Sequence, residues 1–288
     1  MKHIFIVNPI SGAGKGLRVS NNIDRVCKEK ELDYTIHFTS GPKDATRIAG
    51  MYKHHKNHIY SVGGDGTLSE VLNGIIGSEN ILSVVPSGSG NDFFKTLKNI
   101  NGKEIIDIGK INDLYFINIA SIGIDAEVAY NVNILKEFKI PSSQVYNASI
   151  IYSLLKYSFK EIEFELNQSC IKGRYTLLTI CNGQYYGGGF RIAPEAQIND
   201  GLFDVYFADK MSKLLIPHMV LKLKKGTHES SRYVNKKKAD SIMIQSENLI
   251  CCNVDGEIII DNKFDIKIIK NAIQVFNDKE WINQLIEF

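Results

Sequence analysis

The sequence predicts an α/β protein in two parts, an N-terminal three-layer α/β domain and a second, mostly antiparallel β-sandwich domain. Three observations carry this. Strand and helix patterns alternate through the first third of the 288 residues. Strand-like runs dominate from about Asn118 onward, and three early strands end in glycine-rich loops.

In the first part the strand patterns are His3–Val7, Tyr34–Phe38, His58–Val62 and Ile81–Val85, with helical patterns at Leu17–Lys30, Asp44–His54 and Leu68–Ile76. Strands alternating with helices of this length pair in parallel, and ligands of such sheets sit beyond the carboxyl ends of the strands. Those ends carry NPISGAGKG (Asn8–Gly16), GGDGT (Gly63–Thr67) and PSGSGND (Pro86–Asp92). In the second part the strand runs are Glu161–Leu166, Lys172–Asn182, Leu202–Phe207, Ser241–Ser246, Leu249–Val254 and Lys263–Lys270, interrupted by helices near Glu127–Phe138 and Val145–Ser158. The tail Lys279–Ile286 reads as a short helix folding back on the first domain. The expected division is residues 1–118 with about 275–288, and residues 119–274.

Apolar residues make up 44% and charged residues 23%, as in a globular protein with a real core. A formal net charge of +2 argues against a nucleic-acid partner and confines any basic surface to a patch. Five scattered cysteines without metal-type spacing point to free thiols in a reducing compartment. No signal peptide is visible before HIFIVN, and no apolar run reaches the ~18 residues of a spanning helix. The expectation is a cytoplasmic protein able to touch a membrane peripherally. The histidines form no ligand set, and His54, His55 and His58 read as surface residues at a helix end.

The first loop is not a Walker A motif, which needs glycine, four residues, then Gly-Lys-Ser/Thr. Ser11, Gly12 and Gly14 can still present bare amides beside Lys15, as an anion cradle; an ordinary βα turn is the alternative. In the second loop, Gly63 and Gly64 allow close approach by a phosphate, and Thr67 is placed to cap the following helix. A carboxylate in a phosphate site is repelled unless it binds Mg²⁺ or takes up a proton, so Asp65 is a metal-side ligand or a base, or else a plain turn residue. Glu70, one turn on, either faces the site or is solvated. In the third loop Ser89 and Asn91 offer hydrogen bonds to a ribose or phosphate, with a simple N-cap at Asn91 or Asp92 as the alternative.

Together these loops resemble the catalytic domain of the diacylglycerol kinase family, which includes bacterial lipid kinases and sphingosine kinases, with NAD kinases more distant. GGDGT followed by Leu68-Ser69-Glu70-Val71-Leu72-Asn73-Gly74 is the most specific signal, and Val254-Asp255-Gly256-Glu257 completes the set in the family's order. The resemblance spans nearly the whole chain. It implies ATP and Mg²⁺ as cofactors and phosphorylation of a lipid hydroxyl, in a cleft between a nucleotide domain and a β-rich lipid domain. It places Asn8, Pro9, Ile10, Ser11, Gly12, Thr39, Gly63, Gly64, Asp65, Gly66, Thr67, Leu68, Ser69 and Ser89 around ATP, with Lys15, Glu70, Asn91 and Asp92 beside them. Asp65 falls among the phosphates and Mg²⁺, and Glu257 matches the acid that takes the hydroxyl proton. The run Gln197-Ile198-Asn199-Asp200-Gly201-Leu202 looks like a loop holding a second, structural Mg²⁺ through Gln197, Asp200 and Leu202. Read from the residues alone, Asp255-Gly256 is a hairpin turn and Glu257 a strand-edge acid. One departure stands out. Bacterial relatives often carry Ala-Arg after Asn-Asp-Phe, whereas Phe94-Lys95 stands here, keeping the charge and losing the bidentate fork.

The implied acceptor is a lipid at a membrane surface, diacylglycerol first; phosphatidylglycerol, undecaprenol and sphingoid bases remain open. A catalytically silent nucleotide- or lipid-binding protein is the alternative from another class. Lys210–Lys225 mixes apolar residues with lysines, and is either an interfacial segment or a core helix with a solvated basic face. Lys236-Lys237-Lys238 reads as a solvated run. The loop Tyr185–Phe190 either lines the acceptor entrance or packs at a turn, and an exposed sheet edge leaves a homodimer open.

Overall fold

A computed structural model of the chain describes residues 1–136, 149 and 152–287. Its first part alternates β1 (His3–Val7), α1 (Ser11–Glu29), β2 (Tyr34–Phe38), α2 (Asp44–Gly50), β3 (His58–Gly63), α3 (Asp65–Ile75), β4 (Ile81–Pro86) and α4 (Asp92–Thr96). The four strands pair in parallel in the order β4-β3-β1-β2. Both faces of this sheet are covered, so its central strands are apolar throughout rather than alternating. In β1, Ile4 and Ile6 pack under α2 and α3 against Ile48, Leu68 and Leu72. Phe5 and Val7 face the other way, against Val19 and Ile23 of α1. The closing helix, α7 (Lys279–Ile286), lies on this second face through Ile282 and Leu285. Asp278 caps it by accepting the Trp281 N–H at 3.0 Å, and the Trp281 indole donates to Tyr60 OH at 3.2 Å.

After α4 come β5 (Gly102–Ile111), whose Ile106 and Ile108 join the core under α2 and α3, and β6 (Leu114–Phe116). The second part contains β7 (Ile119–Gly123), α5 (Ile124–Lys136), β8 (Glu161–Leu166), β9 (Ser169–Cys181), β10 (Tyr185–Tyr186), β11 (Phe190–Arg191), β12 (Phe203–Asp209), α6 (Ile216–Lys225), β13 (Val234–Ala239), β14 (Ser241–Val254) and β15 (Glu257–Asn277). Its strands pair antiparallel around a core that includes Phe116, Phe164, Phe203 and Phe264. β15 joins the two parts: it pairs with β14 at its start, and Gln274 and Val275 run parallel to Ile81 and Leu82 of β4 at its end.

Several elements differ from the sequence expectation. Ser241–Ser246 and Leu249–Val254 form a single strand, its register slipping between Gln245 and Ile250, and β15 runs far beyond Lys263–Lys270 at both ends. The strands β5, β6 and β7 are not among those expected; β5 pairs with β15, β6 with β5, and β7 with β9 and β14. The helix expected at Val145–Ser158 falls partly outside the described residues, of which 149 and 152–156 are helical; Phe138 also lies outside. His58 is not a surface residue: it is 4% exposed in β3, hydrogen-bonded to Ser83 at 2.8 Å and to Tyr60 at 3.0 Å. Burial holds its imidazole down at about 3, so it stays neutral.

Candidate active site

The three glycine-rich loops stack side by side at the carboxyl ends of β1, β3 and β4. Ser87 and Gly88 both donate backbone N–H groups to Gly63 O, at 3.0 and 3.1 Å. Ser11 Oγ lies 2.7 Å from Ser87 Oγ, and Asn8 Nδ2 donates to Thr67 Oγ1 at 3.4 Å. The glycines are needed because main chain meets main chain. A Cβ on Gly88 would stand 2.4 Å from Gly64 Cα, and one on Gly12 (φ +55°) would stand 2.1 Å from Ser87 O. Gly12, Ala13 and Gly14 all take left-handed backbone, so the regular part of α1 begins only after them.

These loops form one wall of a cleft of about 1550 Å³, lined by Asn8, Ser11, Gly12, Gly64, Asp65, Gly66, Thr67, Ser69, Glu70, Ser89 and Asp92 together with Asp255, Gly256 and Glu257 from the other part. Glu257 is exposed and faces the same space as Asp65. The remaining expected contacts lie elsewhere. Pro9, Ile10, Lys15, Thr39, Gly63 and Asn91 are not among the cleft-lining residues. Ile10 points to solvent, and Leu68 is in the core. Asn91 braces its own loop, accepting from Gly88 N–H and donating to Gly88 O. One local expectation is corrected. Thr67 does not cap α3; its side chain tucks against Gly63 and accepts from Asn8. Glu70 faces the cleft, as one of its two readings had it, and its carboxylate also accepts the Lys43 and Ala45 N–H groups at 2.9 and 3.0 Å at the start of α2.

Two carboxylates meet beside Gly90. A Cβ there would lie 2.9 Å from Asp65 Oδ2 and 3.7 Å from Asp92 Oδ2. Asp65 opens α3 and accepts the Phe93 N–H at 3.1 Å. Burial raises its pKa, and the Asp92 charge adds to the shift. Asp92 ties the two parts together: one oxygen takes Lys95 Nζ at 2.8 Å, the other the Gly188 N–H at 2.7 Å. Lys95 therefore serves Asp92 with a single bond where an arginine could make two.

Asp255 has a role that no local pattern shows. It is the first residue of the two-residue turn joining β14 to β15, with φ +48° followed by Gly256 at +96°, the pattern of a type I′ hairpin. Its side chain turns inward and accepts the N–H groups of Ile117, Asn118 and Ile119 at 2.7, 3.2 and 2.8 Å. This fixes the turn to the segment entering β7 and so sets the position of Glu257. Burial pushes its carboxyl up to about 6, against the pull of those three bonds.

The loop expected to hold a structural Mg²⁺ is closed by other means. Asp200 Oδ2 receives Lys238 Nζ at 2.7 Å, and Oδ1 accepts the Leu202 N–H at 3.1 Å. Buried Asp107 accepts the Gly201 N–H at 2.7 Å and donates its own N–H to Ile198 O at 2.7 Å. Gln197 is exposed. Asp200 is thus paired with an ammonium that a cation at this loop would have to displace. Among the described residues no three acidic, histidine or cysteine side chains cluster as a metal site. The lysine run is correspondingly not simply solvated: Lys236 and Lys238 on β13 share one face and pair with Glu195, Asp200 and Asp204.

Adjoining the cleft is an apolar cavity of about 370 Å³ between α5, β9, β12 and α6, lined by Val128, Leu177, Ala208, Met219 and Leu223 among others. Tyr186, Gly187 and Asn253 border both spaces. The loop carrying Tyr186 and Gly187 is thus the partition between them.

The comparisons with known proteins agree with this architecture. The diacylglycerol kinase catalytic domain profile matches residues 2–114, and the YegS C-terminal NAD kinase beta sandwich-like domain profile matches residues 118–277. The chain is 28% identical over 270 residues to a diacylglycerol kinase of Bacillus subtilis, covering 88% of both chains. It is 28% identical over 298 residues to one of Staphylococcus saprophyticus, covering 98% of this chain and 97% of that one. A crystal structure of a diacylglycerol kinase from Bacillus anthracis superposes with a TM-score of 0.70 at 20% identity, over 97% of each chain. With both of its parts matched in order, the chain belongs to the diacylglycerol kinase catalytic-domain family, and by that membership is a phosphotransferase.

Proposed function

We propose that this chain is an ATP-dependent lipid kinase that moves the γ-phosphate of ATP to the hydroxyl of a lipid alcohol, diacylglycerol being the acceptor to test first. One observation carries the reading: a polar, glycine-walled cleft and an apolar cavity share a border at Tyr186, Gly187 and Asn253. A lipid whose chain enters the cavity brings its polar end to that border.

The backbone around Gly12, Gly64, Gly66 and Ser89 receives the triphosphate, with the start of α3 adding its positive end. Asp65 would hold the Mg²⁺ ion, since Mg²⁺ takes one or two carboxylates and completes its shell with phosphate oxygens and water, while both oxygens of Asp92 are engaged by Lys95 and Gly188. When bound, the ion offsets charge on the transferring group. Glu257 takes the proton from the acceptor hydroxyl as its oxygen bonds to phosphorus and the bond to the leaving ADP oxygen breaks. Asp255 holds Glu257 in place, and Lys95 holds Asp92.

Transfer of label from γ-labelled ATP to detergent-dispersed diacylglycerol tests this, alongside phosphatidylglycerol, undecaprenol, a sphingoid base and NAD. We expect labelled phosphatidic acid, lost by on the order of 100- to 10,000-fold in Glu257→Ala, with ATP binding kept, and lost as well in Asp65→Ala. ATP binding without transfer to any lipid would instead favour a silent binding protein, and transfer to NAD a soluble NAD kinase.

A further inference from the structure

The lysine-rich stretch from Lys210 to Lys225 contains α6 and the 3-10 turn before it, Lys213–Leu215. Its inner face is part of the protein interior: Ile216 and Met219 are buried, and with Leu223 they line the apolar cavity. Its outer face has no such partner. Leu214 is 89% exposed and Leu221 is 60% exposed, and being seven residues apart they share one side of the segment. Leu155, 74% exposed, extends the same surface, because Lys213 Nζ donates to Leu155 O at 3.0 Å. A core helix with a solvated basic face would not show this, since its outward positions would be polar.

Charge identifies what covers the surface. Residues 210–228 hold five lysines and no aspartate or glutamate. Lys222, Lys224 and Lys225 form no ion pair among the described residues. Exposed leucines beside the unpaired Lys222, Lys224 and Lys225 match the boundary of an anionic bilayer, where apolar side chains enter the acyl region and ammonium groups meet headgroup phosphates and carboxylates. A protein partner of ordinary composition would not call for five lysines and no acidic residue along the segment that bears the apolar stripe.

Continuity supplies a second argument. Pro217 and Val220 both line the cavity and are exposed at the surface. The cavity therefore reaches solvent at the helix that bears the apolar stripe. We propose that this face, formed by the 3-10 turn, α6 and Leu155, docks the protein on an anionic lipid bilayer, and that a membrane lipid enters the cavity past Pro217 and Val220. The docking stands on the surface alone; the route past α6 rests on the lipid-kinase reading.

The test uses the full chain, without nucleotide, in flotation with phosphatidylcholine vesicles containing or lacking a third phosphatidylserine. Neither lipid offers an acceptor alcohol of the kinds named above. Binding to the anionic vesicles is expected, weakening as salt rises. Lys222→Ala, Lys224→Ala and Lys225→Ala combined should lower the partition on the order of 100-fold. Leu214→Glu with Leu221→Glu should lower it at least ~10-fold, and Lys53→Ala with Lys56→Ala, in the first part of the chain, should leave it unchanged. All three variants change exposed or half-exposed residues outside the core and should keep the wild-type melting temperature and the wild-type transfer rate to a detergent-dispersed acceptor. Wild-type vesicle binding by the lysine and leucine variants would overturn the proposal, as would failure of the wild-type chain to float with anionic vesicles. Loss of transfer in detergent with vesicle binding intact would instead overturn the kinase reading and leave the docking face standing.

Discussion

The cleft and the cavity lie against each other and are built on opposite principles. The cleft is made of main chain: Gly12 against Ser87, Gly88 against Gly64, and amides held at fixed spacing by strand ends. The cavity is made of side chains contributed by α5, β9, β12 and α6. A backbone-walled site is rigid and tolerates almost no added atom, whereas a side-chain-walled site can change shape by exchanging one apolar residue for another. The difference suits the two substrates proposed here. A triphosphate is constant, and needs fixed donors; an acyl chain is variable, and needs only volume and dryness.

The contrast predicts that small changes in the cleft cost most. Gly88→Ala places a methyl group 2.4 Å from Gly64 Cα, where only backbone can yield. The second and third loops must part, and turnover should fall on the order of 100-fold with a raised KM for ATP. A variant with unchanged ATP kinetics would show that the loops are looser than their packing indicates.

Asp255 gives a pH-dependent version of the comparison. Its carboxyl is raised to about 6 from an ordinary value of 3.8. The protonated form is therefore favoured by folding. Its stabilisation is complete below the unfolded value and is lost as pH rises through about 6. Wild-type stability should decline between those limits by on the order of 2–3 kcal/mol on account of this residue. In Asp255→Asn that part of the slope should vanish, leaving the contributions of other raised carboxyls such as Asp65 and Asp125. Thermal melts of both proteins across pH 4 to 7 check this, and equal slopes would contradict it.

The smallest effect is expected at the loop closed by Lys238. Chelator should not lower the melting temperature of the nucleotide-free protein, because Asp200 is paired with an ammonium. Lys238→Met should destabilise by about 1 kcal/mol, the scale of a part-exposed pair. A chelator-induced drop of several degrees in the wild type would show that a cation displaces the lysine.

What was legible in the sequence follows the same division. GGDGT and its neighbours could be read because a glycine loop between an apolar run and a helix is a local pattern, and its geometry comes from the strand end that carries it. The hairpin at Asp255-Gly256 was equally local. What Asp255 does was not, because the N–H groups it binds belong to residues 117–119, brought there by the pairing of β7 with β14. The partners of Glu70 and the burial of His58 were hidden for the same reason: Lys43 and Ala45 for one and Ser83 and Tyr60 for the other are neighbours only after folding. The Asp200 loop shows a further limit. Its residues match a family pattern, but the charge beside Asp200 comes from Lys238 on another strand.

The central claim is that one substrate reaches the cleft through the cavity, and filling the cavity tests it most directly. Ala208 lies on β12, 6% exposed, against the cavity. In Ala208→Phe the KM for a long-chain lipid acceptor should rise at least ~10-fold while the KM for ATP stays at its wild-type value. Unchanged kinetics for both substrates would place the lipid somewhere else and contradict the account.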